Sequence, residues 1–237
     1  ASGKTVTVDY ATSTTDSFPT FTATTIATSA DSPRDVELAD LDGDGDLDIL
    51  TASFNDNTIA WYENDGANNP SFAAADITTS LIQAYDLKTA DLDGDGDLDI
   101  VAASGNGGGN DKVSWYANDG ALNPSFTATT ITVDDGTGNI IDGPQEVDIG
   151  DIDNDGDLDL LVGDIGNGQI IWYENQLASN DGFTYNFVGS SGLGSIYSTR
   201  FVDLDNDGDL DIVAGTDQSS RGIIWLENNG ASNPAFI

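Results

Sequence analysis

The sequence predicts an all-β protein built from four similar units, each made of four short antiparallel strands. An acidic motif of ten residues occurs four times along the 237-residue chain, and its copies start at Asp40, Asp91, Asp151 and Asp203. A tryptophan segment follows each copy at a similar distance, and no stretch has the apolar spacing of an amphipathic helix. Repeats 51, 60 and 52 residues long are typical of solenoids and propellers.

The first two strands of each unit flank the acidic motif. Alternating polar and apolar residues before the motif predict one strand, and an apolar run after it predicts the next. The first strands are Asp35–Ala39, Tyr85–Ala90, Glu146–Ile149 and Ser198–Val202. The second strands are Leu47–Ala52, Leu98–Ala103, Leu158–Val162 and Leu210–Ala214.

The third and fourth strands carry the aromatic residues of each unit. Glycine, asparagine, aspartate and proline separate them from their neighbours, as expected of turns. The tryptophan segments are Ile59–Asn64, Val113–Asn118, Ile170–Asn175 and Ile223–Asn228. The phenylalanine segments begin at Pro70–Phe72, Pro124–Phe126, Gly182–Phe183 and Pro234–Phe236.

The acidic motif, Asp-x-Asp-x-Asp-Gly-Asp-x-Asp, predicts a loop that binds a divalent cation. Five carboxylates in nine residues repel one another, and a bound cation offsets that repulsion. Carboxylate oxygens are hard donors that suit Ca²⁺ or Mg²⁺ rather than zinc or copper. Six or seven oxygens at flexible distances favour Ca²⁺, since Mg²⁺ prefers a stricter octahedron. We therefore expect four Ca²⁺ ions, one per unit.

The predicted ligands are the five aspartates of each motif, of which the one at position 7 contributes its carbonyl oxygen. Glycine at position 6 allows the turn that directs alternate oxygens inward, at Gly45, Gly96, Gly156 and Gly208. The ligands are Asp40, Asp42, Asp44, Asp46 and Asp48; Asp91, Asp93, Asp95, Asp97 and Asp99; Asp151, Asp153, Asp155, Asp157 and Asp159; and Asp203, Asp205, Asp207, Asp209 and Asp211.

Two other interpretations of the motif fit the sequence less well. An EF-hand needs a bidentate glutamate at position 12 and a helix on each side. Position 12 is instead occupied by Thr51, Ala102, Val162 and Ala214. A turn that is acidic only for solubility does not require four nearly identical copies.

Four strands per unit, with a calcium loop between the first and second, is the pattern of a propeller blade. The units resemble FG-GAP and VCBS-type repeats, the calcium-binding blades that also occur in integrin α-subunit propellers. The acidic loop and the Trp-Tyr-Glu-Asn segment carry this resemblance, which covers about residues 19–237. The Phe-Gly and Gly-Ala-Pro signatures of the integrin type are absent, so integrin ligand-binding features are not implied. The resemblance implies blade-bound calcium, an extracellular setting, and a role in adhesion, recognition or scaffolding.

We expect one β-propeller domain of four blades over residues 19–237. Residues 1–18 are an N-terminal extension, interpreted either as a packed tail or as a strand for a neighbouring subunit, because residues 4–10 alternate like a strand. The expected repeat units are about 19–70, 71–124, 125–181 and 182–237.

Closure of the ring has three interpretations. Residues 19–26 match 124–131 closely and are a candidate outer strand for the fourth blade, which would close a four-bladed ring. Alternatively, the chain is part of a longer array, or the next subunit completes the open edge.

Charge and composition exclude several function classes. The chain has 42 acidic and six basic residues, a net charge of −36, which repels nucleic acid and anionic membranes. It has no histidine and no cysteine, and its conspicuous carboxylates are assigned to calcium. We therefore expect neither catalysis nor membrane insertion.

The aromatic residues of the third strands have two predicted roles. We expect the tryptophans to pack between neighbouring blades rather than to form sugar-stacking platforms. The tyrosines that follow them point to the opposite face and are predicted surface residues. The tryptophans are Trp61, Trp115, Trp172 and Trp225, and the tyrosines are Tyr62, Tyr116 and Tyr173. The insertion at 133–144 is a variable loop suited to recognition.

These features predict a secreted, calcium-stabilised subunit of a surface or filamentous assembly. The alternative is an adhesin or lectin-like module that binds a glycan or a protein. An accessory domain of a secreted polysaccharide-active enzyme is a third interpretation. The expected partners are copies of the chain itself or another extracellular protein or glycan.

Overall fold

The computed structural model describes residues 22–105, 111–131, 141–179, 182–188, 193–218 and 222–236. Fifteen β-strands in these residues form four antiparallel sheets, as the sequence predicted. The only helical turn in the described part of the chain is a short 3-10 turn, Leu177–Ser179. None of the described residues belongs to a helix with the length and apolar character needed to span a bilayer.

Each sheet contains strands that follow one another directly in the chain, and we call the sheets repeats 1 to 4. Repeat 1 consists of β1 (Pro33–Ala39), β2 (Asp48–Ser53), β3 (Thr58–Asn64) and β4 (Phe72–Thr78). Repeat 2 consists of β5 (Ala84–Ala90), β6 (Asp99–Ser104), β7 (Lys112–Asn118) and β8 (Phe126–Ile131).

Repeats 3 and 4 continue the pattern, with a shortened end. Repeat 3 consists of β9 (Pro144–Gly150), β10 (Asp159–Asp164), β11 (Gln169–Gln176) and β12 (Gly182–Phe187). Repeat 4 consists of β13 (Ile196–Val202), β14 (Asp211–Thr216) and β15 (Ile223–Leu226). Its predicted fourth strand is reduced, in the described residues, to one bridge between Asn228 and Phe236.

The sheets stack face to face in chain order, with an apolar core between each pair. Strand alternation gives every sheet two faces. We call the face that meets the following repeat the trailing face and the face that meets the preceding repeat the leading face. Between repeats 1 and 2, the trailing face contributes Leu50, Ile59 and Trp61, and the leading face contributes Leu87, Ile100 and Tyr116.

The first strands of the sheets lie side by side in the order β1, β5, β9, β13. Among the described residues, β13 and β1 do not pack against each other in a comparable way. The contact expected in a closed four-bladed ring is therefore missing there, and the sheets form an open series.

The predicted role of residues 19–26 as the outer strand of repeat 4 was wrong for the described part of that segment. Residues 22–27 are in no strand. Thr24, Thr25 and Ile26 instead line a cleft with residues 69–72, which lead into β4 of repeat 1. The proposed strand at 4–10, and most of the 133–144 insertion, lie outside the described residues.

The tyrosines predicted to lie at the surface are buried, and this prediction was wrong. Tyr62, Tyr116 and Tyr173 are at most 4% exposed. Tyr116 and Tyr173 pack against the preceding repeat, because both faces of an interior sheet are covered. The prediction for the tryptophans was confirmed at Trp61, Trp115 and Trp172, which pack against the following repeat. It was wrong at Trp225, which is 43% exposed.

Two isoleucines at equivalent trailing-face positions give a matched test of this packing. Ile170 pairs with Gly163 and is fully buried, whereas Ile223 pairs with Gly215 and is 78% exposed. Ile170→Ala should lower the free energy of unfolding by about 2 to 5 kcal/mol. Ile223→Ala should change it by no more than about 1 kcal/mol. Urea unfolding of dilute protein in calcium measures both, and equal losses would contradict the open series.

Candidate metal centres

Each acidic motif connects the first and second strands of its repeat. In repeat 1, β1 ends at Ala39 and β2 begins at Asp48, so positions 1 to 8 form the loop and position 9 opens the next strand. The other three repeats have the same arrangement. The antiparallel pairing of these strands fixes both ends of every loop.

Three aspartates of each motif converge on one point. Each contributes a carboxylate oxygen, and the three oxygens lie within 4.8 Å of one another. In three loops these aspartates hold positions 1, 3 and 5, and in the third loop they hold positions 1, 3 and 9. The groups are Asp40, Asp42 and Asp44; Asp91, Asp93 and Asp95; Asp151, Asp153 and Asp159; and Asp203, Asp205 and Asp207.

The aspartate at position 1 has an oxygen without a partner. Oδ1 of Asp40, Asp91 and Asp203 is buried and accepts no hydrogen bond. A buried carboxylate oxygen without a donor is unfavourable, and a cation among the three converging carboxylates would supply the missing interaction. The residues present therefore fit a hard cation. In the third loop, Oδ1 of Asp151 accepts the N–H of Asp155 at 3.0 Å.

Backbone N–H groups hold the other carboxylate oxygens. In the first loop the N–H of Gly45 donates to Oδ2 of Asp40 at 3.0 Å, and the N–H of Asp44 donates to Oδ1 of Asp42 at 3.2 Å. The N–H of Asp46 donates to Oδ1 of Asp44 at 2.9 Å. The same bonds recur in the other loops. The backbone thus orients the side chains before any ion binds.

Two left-handed positions shape each loop, and the sequence analysis identified only one. The glycine at position 6 has a φ of 99° to 101°, a conformation that a side chain would strain. Position 4 is also left-handed, and it holds only glycine or asparagine, the residues that tolerate this conformation best. Its residues are Gly43 (73°), Gly94 (76°), Asn154 (60°) and Asn206 (65°).

The aspartate at position 9 connects the loop to the tryptophan segment. Asp99 is fully buried; its Oδ1 accepts the N–H of Asn118 at 2.8 Å and its Oδ2 accepts the N–H of Leu92 at 3.3 Å. Asp48, Asp159 and Asp211 make the equivalent bonds. The sequence predicted position 9 only as a ligand, whereas here it also fixes the third strand.

In repeats 1, 2 and 4, the aspartate at position 7 turns its side chain away from the converging oxygens. The carboxylates of Asp46, Asp97 and Asp209 lie over Gly66, Gly120 and Gly230, where an added Cβ would collide with them. In repeats 1, 2 and 4, the glycine after the tryptophan segment therefore makes room for the position 7 side chain. The carbonyl ligand expected at position 7 stays a prediction.

Burial and mutual repulsion raise the pKa of the converging carboxyls. Burial is the larger cause and neighbouring aspartates add to it at Asp42, Asp93 and Asp205. The pKa of Asp153 rises to about 6 for the same reasons. Burial raises the pKa of Asp159 to about 7. Folding without a cation therefore favours protonated carboxyls.

A second candidate site is a cleft of about 360 Å³ that all four first strands line. Lys88 forms ion pairs with Asp35, Glu37 and Asp86 at 3.4 to 4.0 Å. Burial raises the pKa of Asp86 to about 7. The cleft contains three of the chain's six basic residues, which a count along the sequence did not reveal. Its lining residues are Arg34, Asp35, Tyr85, Asp86, Lys88, Gln145, Glu146, Tyr197 and Arg200.

The three basic residues of the cleft differ in their partners. Arg200 pairs with Glu146, and Lys88 is paired as described above. Arg34 is exposed, and its guanidinium lies over the rings of Phe54 and Tyr85, 4.9 Å and 5.4 Å from their centroids. Within the described part of the chain it forms no ion pair. Arg34 is therefore the cation of this cleft that is available to a ligand.

The structure is that of a β-repeat protein. It contains four antiparallel sheets that follow one another along the chain, and each sheet has an aspartate-rich loop between its first two strands. A family model described as FG-GAP-like repeat matches the sequence over residues 40–102, 91–162 and 151–214. The chain belongs to this family. Each match begins at one acidic motif and ends in the second strand of the next repeat. No curated protein matches the sequence.

The raised pKa values predict opposite effects of pH on the metal-free and the calcium-bound protein. The folded pKa of Asp153 and Asp159 lies above that of an unfolded aspartate, so the folded metal-free protein binds more protons. The stability that the extra bound protons provide is complete below the pKa that these aspartates have in the unfolded chain. It is lost as the pH rises through their folded pKa values, about 6 and about 7. The melting temperature of the chelated, desalted protein should therefore increase as the pH is lowered from 8 to 5.

Calcium-saturated protein should show the reverse trend, because protons compete with the ion for the same oxygens. Thermal melts of both forms over this pH range check the prediction. A metal-free protein that becomes less stable toward pH 5 would contradict it.

Proposed function

We propose that this chain is a calcium-stabilised β-propeller segment that acts outside the cell as a structural subunit of a surface or filamentous assembly. The observation that carries the proposal is the buried, unpartnered Oδ1 of Asp40, Asp91 and Asp203, each beside two further carboxylates. An acidic cluster without this feature would be an ordinary solvated turn. With it, the loop has a position for a cation.

The donor set favours Ca²⁺. The ion would be held by the aspartates at positions 1, 3, 5 and 9 and by the carbonyl at position 7, all of them oxygen ligands. Bound Ca²⁺ would neutralise the clustered charge and stabilise the folded loop, which the unfolded chain cannot reproduce. In this proposal the metal is structural, because it fixes the connection between two strands of every repeat.

The extracellular setting is supported by the same chemistry and by the family. FG-GAP-like repeats are typical of extracellular proteins. Free calcium is plentiful outside cells, where loops of modest affinity stay filled. Four Ca²⁺ ions would reduce the net charge from −36 to about −28, so nucleic acid and anionic membranes are unsuitable partners.

We propose no catalytic activity for the chain. Without histidine or cysteine, the remaining acid or base candidates are carboxyl groups, lysines and tyrosines. The conspicuous carboxyl groups belong to the loops, and Asp86 is engaged by Lys88 and by the N–H of Val147. The hydrogen bonds and ion pair of Asp86, and the place of the other carboxyl groups in the loops, favour structural roles for these side chains.

The cleft between the first strands favours a second function, recognition of a glycan or protein that carries a carboxylate. Arg34 offers a cation on an aromatic base of Phe54 and Tyr85, and Tyr197 adds an exposed ring. A glycan array with an Arg34→Ala control tests this alternative. Binding lost in the variant would support it, and an array without any signal would contradict it.

Removal of metal should lower the melting temperature sharply. At about 100-fold excess of free Ca²⁺ over the dissociation constant, each independent site contributes about 2.7 kcal/mol. Calorimetric melts with calcium and after chelation measure the change, with metal content checked by elemental analysis. A melt that chelation does not move would refute the calcium assignment.

Two aspartates of the first loop provide a charge-matched pair. Asp42 directs an oxygen into the cluster, whereas the side chain of Asp46 lies over Gly66. Asp42→Asn should remove one of four calcium sites, and Asp46→Asn should retain all four, although both changes remove one negative charge. Titration calorimetry counts the sites. The same stoichiometry in both variants would contradict the assigned ligands.

A further inference from the structure

The trailing face of repeat 4 is exposed where the earlier repeats are buried. It is formed by Leu204, Ile223 and Trp225, which are 48%, 78% and 43% exposed. The equivalents of Ile223 in repeats 1 to 3 are fully buried, and the equivalents of Leu204 are at most 4% exposed. These equivalents are Ile59, Val113 and Ile170, and Leu41, Leu92 and Ile152. The sequence of repeat 4 thus retains an apolar interface that the described residues leave exposed.

The leading face of repeat 1 shows the complementary exposure. Val36, Leu38 and Leu47 are each 57% to 58% exposed. The equivalents of Val36 in repeats 2 to 4 are Leu87, Val147 and Thr199, all fully buried. Ser29 and Ala30 lie beside the outer part of this face, near Ala60 and Tyr62. The open part is therefore the half next to the acidic loop.

A hydrogen-bond ladder identifies what each open face lacks. Within the stack, the side-chain amide at the end of each third strand donates to the position 2 carbonyl of the preceding loop. Asn118 donates to Leu41 at 3.0 Å, Asn175 to Leu92 at 2.8 Å and Asn228 to Ile152 at 2.9 Å. These three asparagines are buried.

The two ends of the ladder are open. In repeat 1, Leu47 of its own loop is the one described residue to which the amide of Asn64 donates, and Asn64 is partly exposed. In repeat 4, no described asparagine donates to the carbonyl of Leu204. Leu204 therefore has an acceptor and an apolar side chain at one end, and Asn64 has a spare donor at the other.

We propose that the trailing face of repeat 4 packs on the leading face of repeat 1 of a second copy of this chain. The occupant is a second copy because repeat 1 has the features that cover every earlier trailing face: an asparagine donor, the leucine at loop position 8 and an apolar residue on the first strand. The contact repeats the geometry between internal repeats. This inference rests on the proposed role as an assembly subunit, and it specifies the contact through which copies join.

Such a contact is head to tail, since two different faces meet. Each copy then leaves one face of each kind free, so the assembly grows until the rotation closes a ring or continues as a filament. Each copy has a net charge of −36, so like charges oppose the contact. Association should therefore increase with bound calcium and with ionic strength.

Complementary variants test the contact. Val36→Asp disables the leading face and Ile223→Asp disables the trailing face, and both residues are exposed, so the fold tolerates the change. Leu122→Asp is the matched control, because Leu122 is 75% exposed and lies on neither face. Sedimentation of the full chain in calcium measures the mass of each protein and of an equal mixture of the two interface variants.

We expect the unmodified chain and Leu122→Asp to gain mass with concentration, and each interface variant alone to stay at the mass of one chain. Their mixture should reach the mass of two chains, because one intact face of each kind remains. An unmodified chain that stays at one chain mass, or interface variants that assemble like the control, would overturn the proposal.

Calcium-dependent melting of the same samples separates this inference from the proposed function. Retained calcium stabilisation without assembly would contradict the contact alone. Chelation that changes neither melting nor assembly would refute the calcium assignment and leave the contact supported.

Discussion

The structure depends on carboxylates held closer together than their charges favour. Three aspartate oxygens of every loop lie within 4.8 Å of one another, and backbone N–H groups hold them there. Strand pairing fixes both ends of the loop, which limits how far the backbone can carry the carboxylates apart. A cation among them would convert mutual repulsion into attraction. The closeness of the carboxylates adds to burial in raising their pKa values, and glycine at position 6 with glycine or asparagine at position 4 allows the turns that bring them together.

The loops also connect to the packing of the repeats through position 9. Asp99 accepts the N–H of Asn118, and the side chain of Asn118 donates to the carbonyl of Leu41 in the preceding loop. The ladder thus runs from one acidic loop through the third strand of the same repeat to the loop of the preceding repeat. The acidic loops and the sheet stacking are connected in this arrangement, because the same asparagine bonds the position 9 aspartate of its own repeat and a carbonyl of the preceding loop. The ladder therefore ends where the stack of sheets ends. This leaves the amide donor of Asn64 at the open face of repeat 1 and the carbonyl acceptor of Leu204 at the open face of repeat 4.

Sequence periodicity predicted the strands and loops because local spacing encodes them. The motifs at Asp40, Asp91, Asp151 and Asp203 marked every first hairpin, and the tryptophans marked every third strand. Alternation placed Trp and Tyr on opposite faces but did not reveal that both faces of a sheet are buried, since that depends on what packs there. Likewise, the exposure of Ile223 and the grouping of Arg34, Lys88 and Arg200 in one cleft arise from how sheets stack. The match between residues 19–26 and 124–131 indicated similar composition, since the described residues 22–26 form no strand whereas 126–131 form β8.

The central claim is that a calcium ion occupies each acidic loop, and crystallographic anomalous scattering tests it most directly. Crystals grown in calcium and measured at long wavelength reveal Ca²⁺ as peaks of anomalous difference density. The account predicts four such peaks, one among the converging carboxylates of each loop. Loops without peaks in crystals that contain calcium would contradict it.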